Sequence, residues 1–127
     1  MIFIGNDIVE VSRINRLLEK YWKHFIEKIF SIDETTILNK KKDKAIHYSG
    51  KFSAKESVRK ALLSAGFGNN IYLKDIEILN KEDGSPYIRI KKLKFISQFS
   101  NIKAFQISIS HTSVNATAFA LLDIKGH

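Results

Sequence analysis

A chain of 127 residues with 44% hydrophobic content suits one domain with one modest core, and this composition excludes disorder. A single proline and few glycines exclude collagen-like or linker-rich organisation, and the lack of cysteine excludes disulfides and thiolate metal sites. The formal net charge of +8 favours an anionic partner, which could be nucleic acid, an acidic protein or a phosphate-bearing small molecule.

Residues 2–11 are rich in Ile and Val and predict a strand, interrupted at Gly5-Asn6-Asp7. Ser12 can cap a helix running to about Phe30, with Ile14, Leu18, Tyr21, Phe25 and Ile29 at helical spacing. "SIDETTILNKKK", from Ser31, predicts a short helix that ends in the basic run Lys40 to Lys44. A longer helix follows from about Lys44 to Ala65, with an apolar stripe of Ala54, Val58, Ala61, Leu62 and Ala65. Gly66 and Gly68 end it. "IYLKDIEIL" predicts a strand, Asp83-Gly84 a hairpin turn and "YIRI" the return strand. "KLKFISQFS" reads as helical. "FQISISHT" alternates strictly, as a strand does, and "NATAFALLDI" is its antiparallel partner. The order β-α-α-α-β-β-α-β-β describes a single α+β domain over residues 1–127. Its mainly antiparallel sheet packs against helices, one of them long and central.

The N-terminus "MIFIGNDIVEV" has no basic n-region, and no apolar run is long enough to span a membrane. These features suit a soluble, cytoplasmic protein. The four histidines are far apart without zinc spacing, so a metal here would be a hard cation on oxygen ligands.

Three stretches carry candidate chemistry. Asp7 sits in an apolar run where an unpartnered charge is costly, and by itself Gly5-Asn6-Asp7 reads as a bulge or turn with Asp7 accepting from local N–H groups. "KFSAKESVRKAL" sets one carboxylate, Glu56, among Lys51, Lys55, Arg59 and Lys60. Glu56 and Lys60 share a helix face opposite the apolar stripe, the spacing of an ordinary solvated i, i+4 pair. Their neighbours Ser53, Ser57 and Ser64 are all short, leaving room for a ligand or another chain. "ISISHT" ends a strand with Ser108, Ser110 and His111, and a lone His111 is by itself an ordinary surface or core histidine. No G-x-S-x-G or Walker loop is present, and no Ser-His-Asp arrangement is legible.

Taken together, "IGNDIVEVSR", "FSAKESVRKAL" and "ISISHT", in this order and at these spacings, resemble the motifs of the holo-[acyl-carrier-protein] synthase family of 4′-phosphopantetheinyl transferases. "LKDIEILNKEDGSPYI" is similar to that family's hairpin, so the resemblance spans nearly the whole chain. It implies transfer of the 4′-phosphopantetheine arm of coenzyme A to a serine of acyl carrier protein, with magnesium required and adenosine 3′,5′-bisphosphate left behind. The resemblance places Asp7 and Glu56 as Mg²⁺ ligands, with Asp7, Glu56 and Lys60 in the catalytic set. It places Lys55, Lys60, Ser110, His111 and Thr112 on coenzyme A, and carrier contacts on the first helix, where Arg13 matches best. Leu17, Lys20 and Lys23 lie on or beside the basic face of that helix. Family members of this length are commonly trimers with active sites between subunits, which implies a homotrimer. The family's usual glycine after K-A-L is Leu63 here, so the following loop is expected to hold coenzyme A differently. The base that deprotonates the serine stays open between Glu56, a metal-bound water and His111.

A small basic nucleic-acid-binding module is the rival that the charge permits. No RNP-type aromatic strand, KH loop or zinc finger supports it. A non-catalytic relative would be expected to lack Asp7 or Glu56, and both are present.

Overall fold

A computed structural model describes residues 1–68, 71–91 and 100–126. Strand β1 (Ile2–Glu10) leads into helix α1 (Val11–Ile29), then α2 (Ile32–Leu38) and the long α3 (Lys44–Ser64). A short 3₁₀ turn (Leu73–Asp75) precedes β2 (Ile76–Asn80) and β3 (Pro86–Ile90), and β4 (Ile102–His111) and β5 (Asn115–Ile124) follow. The expected α+β architecture is present, but the strands among the described residues form two sheets. Three antiparallel strands run in the order β1-β5-β4, and β2 and β3 form a separate antiparallel pair. The helix expected over "KLKFISQFS" lies almost wholly outside the described residues.

The inner face of the three-stranded sheet carries small residues where α3 crosses it. Ala116, Ala118 and Ala120 alternate along β5 and are buried, and Gly5 is buried on β1 beside them. Gly5 pairs with Ala120 in the ladder. A Cβ on Gly5 would stand 2.1 Å from the Ser57 carbonyl oxygen and 2.7 Å from the Ala61 nitrogen. Glycine is therefore required by close approach to the helix, and it interrupts nothing. β1 runs unbroken through Gly5-Asn6-Asp7, contrary to the bulge or turn expected there. Burial of Ala54, Val58, Ala61 and Leu62 against β5 and the hairpin residues Ile76, Ile78 and Ile90 forms the main core. A second cluster joins Ile14, Phe25 and Ile26 of α1 to Phe30, Leu38 and Tyr48.

Helix starts depart from expectation in one case and follow it in another. Ser12 lies inside α1. The cap position is Glu10, without a side-chain cap, and the Val11 N–H donates to the Val114 carbonyl at 2.8 Å instead. A tertiary bond thus replaces the side-chain cap. Ser31, in contrast, forms a complete capping box with Glu34. The apolar stripe of α1 also departs at Tyr21, whose φ of −128° is non-helical and whose ring is exposed. The kink resets the register, so Phe25 and Ile26 supply the buried contacts beyond it. Helix α3 ends at Ser64 with Ala65 as its C-cap, and Gly66 adopts φ +90°, a turn that favours glycine.

Candidate active site

Asp7 lies at the middle of β1 on the face toward α3, where strand alternation alone places it next to Gly5 and Val9. Its backbone carbonyl accepts from Ser53 Oγ at 3.0 Å and from Thr117 Oγ1 at 2.8 Å. Both bonds fix the strand at the point from which the carboxylate projects. Lys60, one residue before Ala61 on α3, donates from Nζ to Asp7 Oδ1 at 3.1 Å and to the Asn6 carbonyl at 3.0 Å. Lys60 therefore pairs with the strand, in place of the i, i+4 partner that the helix alone offers it.

Glu56 is half-buried one turn earlier on α3, close enough to Asp7 for the two charges to interact. Burial raises the Glu56 pKa above the ordinary carboxylate value, and the Asp7 charge raises it further. Arg59, Lys60 and Arg13 oppose that shift. Two carboxylates from distant segments, one raised by the other, form an oxygen-donor pair that a hard cation would relieve. Among the described residues no three His, Cys, Asp or Glu side chains gather as a metal cage. Mg²⁺ keeps several waters and takes one or two protein carboxylates together with substrate phosphate oxygens. The donor set thus fits the ion that the resemblance implies.

The other two lysines of "KFSAKESVRKAL" are not at this site. Lys55 was expected on coenzyme A, yet its side chain is fully buried and its ammonium bonds to Glu34 Oε1 and the Ile76 carbonyl, each at 2.5 Å. In this structure that ammonium is turned away from Glu56 and into the interior. Lys51 is likewise buried and donates to the Ile78 carbonyl and Asn80 Oδ1, each at 2.6 Å. The spacing has a physical basis. Four residues of helix rise about 6 Å, and alternate carbonyls of a strand are about 6.7 Å apart. Lys51 and Lys55 therefore match Ile78 and Ile76 along the edge of β2 that faces away from β3. They close an edge that would otherwise present unpaired backbone groups.

The short serines also have a local cause. Ser53 and Ser57 are buried, Ser57 Oγ donates to the Ala54 carbonyl at 2.8 Å, and β1 occupies the room they leave. The chain that approaches this helix face is the protein's own first strand. Ser64 is exposed.

The strand end "ISISHT" divides between two faces. Ile109 packs toward Gly50 of α3, so His111 shares the α3 face and Ser108 and Ser110 lie on the other, exposed face. His111 meets His47 of α3 with ring centroids 5.8 Å apart, at a cavity of about 260 Å³ also lined by Lys41, Lys51, Gly84 and Pro86. Burial lowers the His47 pKa most, and the nearby charges of Lys41 and His111 lower it further, so the cavity is electropositive. Thr112 Oγ1 accepts from the N–H groups of Val114 and Asn115, both at 3.1 Å, and is engaged in the β4–β5 turn. The structure brings Asp7 and Lys60 into contact, with Glu56 close enough for the Asp7 charge, and more weakly that of Arg13, to act on it. It sets His111 in this cavity, while Ser110 lies on the opposite face of β4 and the Thr112 hydroxyl is used in the turn. His47 was not singled out from sequence, because no local pattern links it to His111 across 64 positions.

On α1, Arg13, Arg16, Lys20 and Lys23 are all exposed and Leu17 is half-buried, packed against the second core cluster. None of the described helices is long and apolar enough to cross a membrane.

A model of the 4′-phosphopantetheinyl transferase superfamily matches residues 3–120. A holo-[acyl-carrier-protein] synthase of Caldanaerobacter subterraneus is 46% identical over 122 residues, covering 94% of this chain and 93% of its own. One from Protochlamydia amoebophila is 42% identical over 118 residues, covering 93% and 94%. Among solved structures, the Helicobacter pylori holo-[acyl-carrier-protein] synthase in complex with coenzyme A superposes with a TM-score of 0.79 at 30% identity, covering 94% of this chain and 99% of its own. The Bacillus anthracis enzyme in complex with coenzyme A (3′,5′-ADP) gives 0.76 at 30% identity, with 94% of both chains covered. With a superfamily model over most of its length and relatives this similar along nearly all of theirs, the chain belongs to the holo-[acyl-carrier-protein] synthase family of the 4′-phosphopantetheinyl transferase superfamily.

Proposed function

We infer that this chain transfers the 4′-phosphopantetheine arm of coenzyme A to a serine of apo acyl carrier protein. The convergence of Asp7 from β1 and Glu56 from α3, with Lys60 between strand and helix, carries this reading. In the reaction the serine oxygen forms a bond to the phosphorus next to the pantetheine arm. The bond from that phosphorus to the bridging oxygen breaks, adenosine 3′,5′-bisphosphate leaves with the electron pair, and the serine proton is released.

Asp7 and Glu56 would hold Mg²⁺, which when bound polarises the pyrophosphate and offsets charge during phosphoryl transfer. Lys60 would exchange its contacts with Asp7 and Asn6 for a phosphate oxygen, a short movement for an exposed ammonium. Arg59 and Arg13 add positive potential at Glu56. Ser53 and Thr117 hold the Asp7 carbonyl, which orients its carboxylate before any ligand arrives. His111 in its electropositive cavity is a further contact for a phosphate of coenzyme A, and the histidine pair and Lys41 support that role. Ser110 and Thr112 would flank that contact, and Lys55 would act only through the position of α3.

The exposed basic row Arg13, Arg16, Lys20 and Lys23, with Leu17 beside it, would dock the acidic carrier so that its serine reaches Asp7 and Glu56. The outer face of the three-stranded sheet supports a homotrimer. Ile4 and Ile8 of β1 are large, exposed and diagonal to the exposed Phe119 of β5, which pairs with Asn6 between them, and a subunit contact would cover these side chains. Work in the cytoplasm, in fatty acid biosynthesis, follows from the substrates. The test is transfer from coenzyme A to apo carrier protein at saturating Mg²⁺. Asp7→Ala and Glu56→Ala should each abolish transfer in a folded protein, and near-normal activity in either would remove that residue from the site.

A further inference from the structure

Glu34 and Lys55 are both fully buried, and the reaction gives neither a direct contact with substrate. Exchanging a buried ion pair for apolar groups of similar volume often leaves stability unchanged or higher. Stability alone is therefore a weak reason for this pair. Its connections give a better one. Glu34 Oε1 accepts from the Ser31 N–H at 3.0 Å and from Lys55 Nζ, and Oε2 accepts from the Ile78 N–H at 2.9 Å. One carboxylate therefore joins the start of α2, the middle of α3 and the free edge of β2. Lys51 adds a second tie from α3 to Ile78 along the same edge.

Those three elements, with β4, wall the cavity that holds His47 and His111. Leu38 comes from α2, Gly50 and Lys51 from α3, Asn80 from β2, and Gly84 and Pro86 from the turn and strand beyond it. The hairpin has its own brace to α2, since Arg89 bonds both Glu77 and Asp33. It lacks any such brace to α3 apart from Lys51 and the Glu34–Lys55 pair among the described hydrogen bonds. The Asp7–Glu56 site is held separately, by Ser53 on the Asp7 carbonyl and by the Gly5 contact with Ser57 and Ala61.

We propose that Glu34 is a positioning residue that sets the spacing between α2, α3 and the β2–β3 hairpin, and through it the affinity for coenzyme A. This rests on the reading of the His47–His111 cavity as part of the coenzyme A site. Glu34 acts on one side of α3 and the metal ligands lie on the other. Its loss therefore raises KM for coenzyme A and leaves kcat in place. Loss of a purely structural support would do the reverse, lowering the amount of active protein without changing KM.

The experiment is steady-state kinetics on the full chain with coenzyme A varied, Mg²⁺ and carrier saturating, and folding checked by circular dichroism and thermal melting. The variants are Glu34→Gln and Glu34→Gln/Lys55→Met. The second leaves no unpaired buried ammonium, so it decides the matter if the first fails to fold. His111→Ala is measured beside them. The expected result is a rise of about tenfold in KM for coenzyme A in the folded Glu34 variants, the lower range for loss of an outer support at a binding site, with kcat within about twofold. Unchanged KM in the Glu34 variants while His111→Ala raises it overturns the positioning role alone. Unchanged KM in all three overturns the reading of the cavity and the proposal with it.

Discussion

Gly5→Ala is the smallest change that should separate the two halves of the site. The added methyl would stand 2.1 Å from the Ser57 carbonyl oxygen, 2.7 Å from the Ala61 nitrogen and 3.0 Å from Lys60 Cβ. Two of these are helix backbone and cannot rotate away, so β1 and α3 must part. Ordinary contact begins near 3.4 Å, and restoring it at Ser57 moves the strand by about 1.3 Å. Overpacking of this kind costs about 3 kcal/mol, the upper end for an inserted methyl group. In a domain of this size that corresponds to a drop in Tm of about 12 °C. Asp7 is two residues along the same strand and Glu56 is on the helix, so parting them should also slow transfer by about 10²-fold, as an ångström of misplacement can do. Gly50→Ala is the control. Its nearest neighbour is Ile109 Cγ2 at 3.2 Å, a side chain that can shift, and alanine gains about 1 kcal/mol in helix propensity over glycine. Thermal melts followed by circular dichroism and transfer assays at saturating Mg²⁺ compare the two. A Gly5→Ala protein with Tm within about 2 °C of the parent and normal kcat would refute the argument from close approach.

Other perturbations address the remaining parts. Arg13→Glu should raise KM for the carrier protein at least about tenfold, the effect weakening as salt rises, with coenzyme A affinity nearly unchanged. Equal damage to both substrates would assign Arg13 to the coenzyme A site. Lys51 has a pKa lowered by burial to about 8, so the folded state binds fewer protons than the unfolded chain between that value and 10.5. Stability should therefore rise with pH across that interval, and Lys51→Met should flatten the rise in urea unfolding measured from pH 7.5 to 10. An identical slope in parent and variant would mean that Lys51 is not the group responsible.

Much of this fold is written in local patterns. The stripe Ala54, Val58, Ala61, Leu62 marks α3, the alternation of "FQISISHT" marks β4, and Asp83-Gly84 marks the β2–β3 turn, all because periodicity and turn chemistry act over a few residues. The misreadings share one cause, which is that the partner is distant in sequence. Gly5 resembles a break until α3 is placed against it, and Ser12 resembles a cap until Val114 supplies the bond. Lys51 and Lys55 read as cations beside Glu56 because the carbonyls of Ile76 and Ile78 and the carboxylate of Glu34 are more than 20 positions away. Glu34 itself had a local signal in the Ser31-x-x-Glu34 capping pattern, but that pattern accounts for only one of its connections. The kink at Tyr21 has no Pro or Gly to announce it, and the structure offers no local cause for it. Asp7 and Glu56 were legible only through resemblance, since spacing alone could not bring residues 49 positions apart to one place.

The central claim, a Mg²⁺-dependent phosphopantetheinyl transfer at Asp7 and Glu56, is tested most directly by weighing the carrier protein. The purified chain is incubated with coenzyme A, Mg²⁺ and an apo acyl carrier protein, and the carrier is analysed by intact-protein mass spectrometry, with a parallel sample in which Mg²⁺ is chelated. The account predicts a carrier heavier by one phosphopantetheine arm in the first sample, release of adenosine 3′,5′-bisphosphate in equal amount, and an unchanged carrier in the second. A carrier of unchanged mass with Mg²⁺ present, or an equal gain with the metal removed, would contradict it.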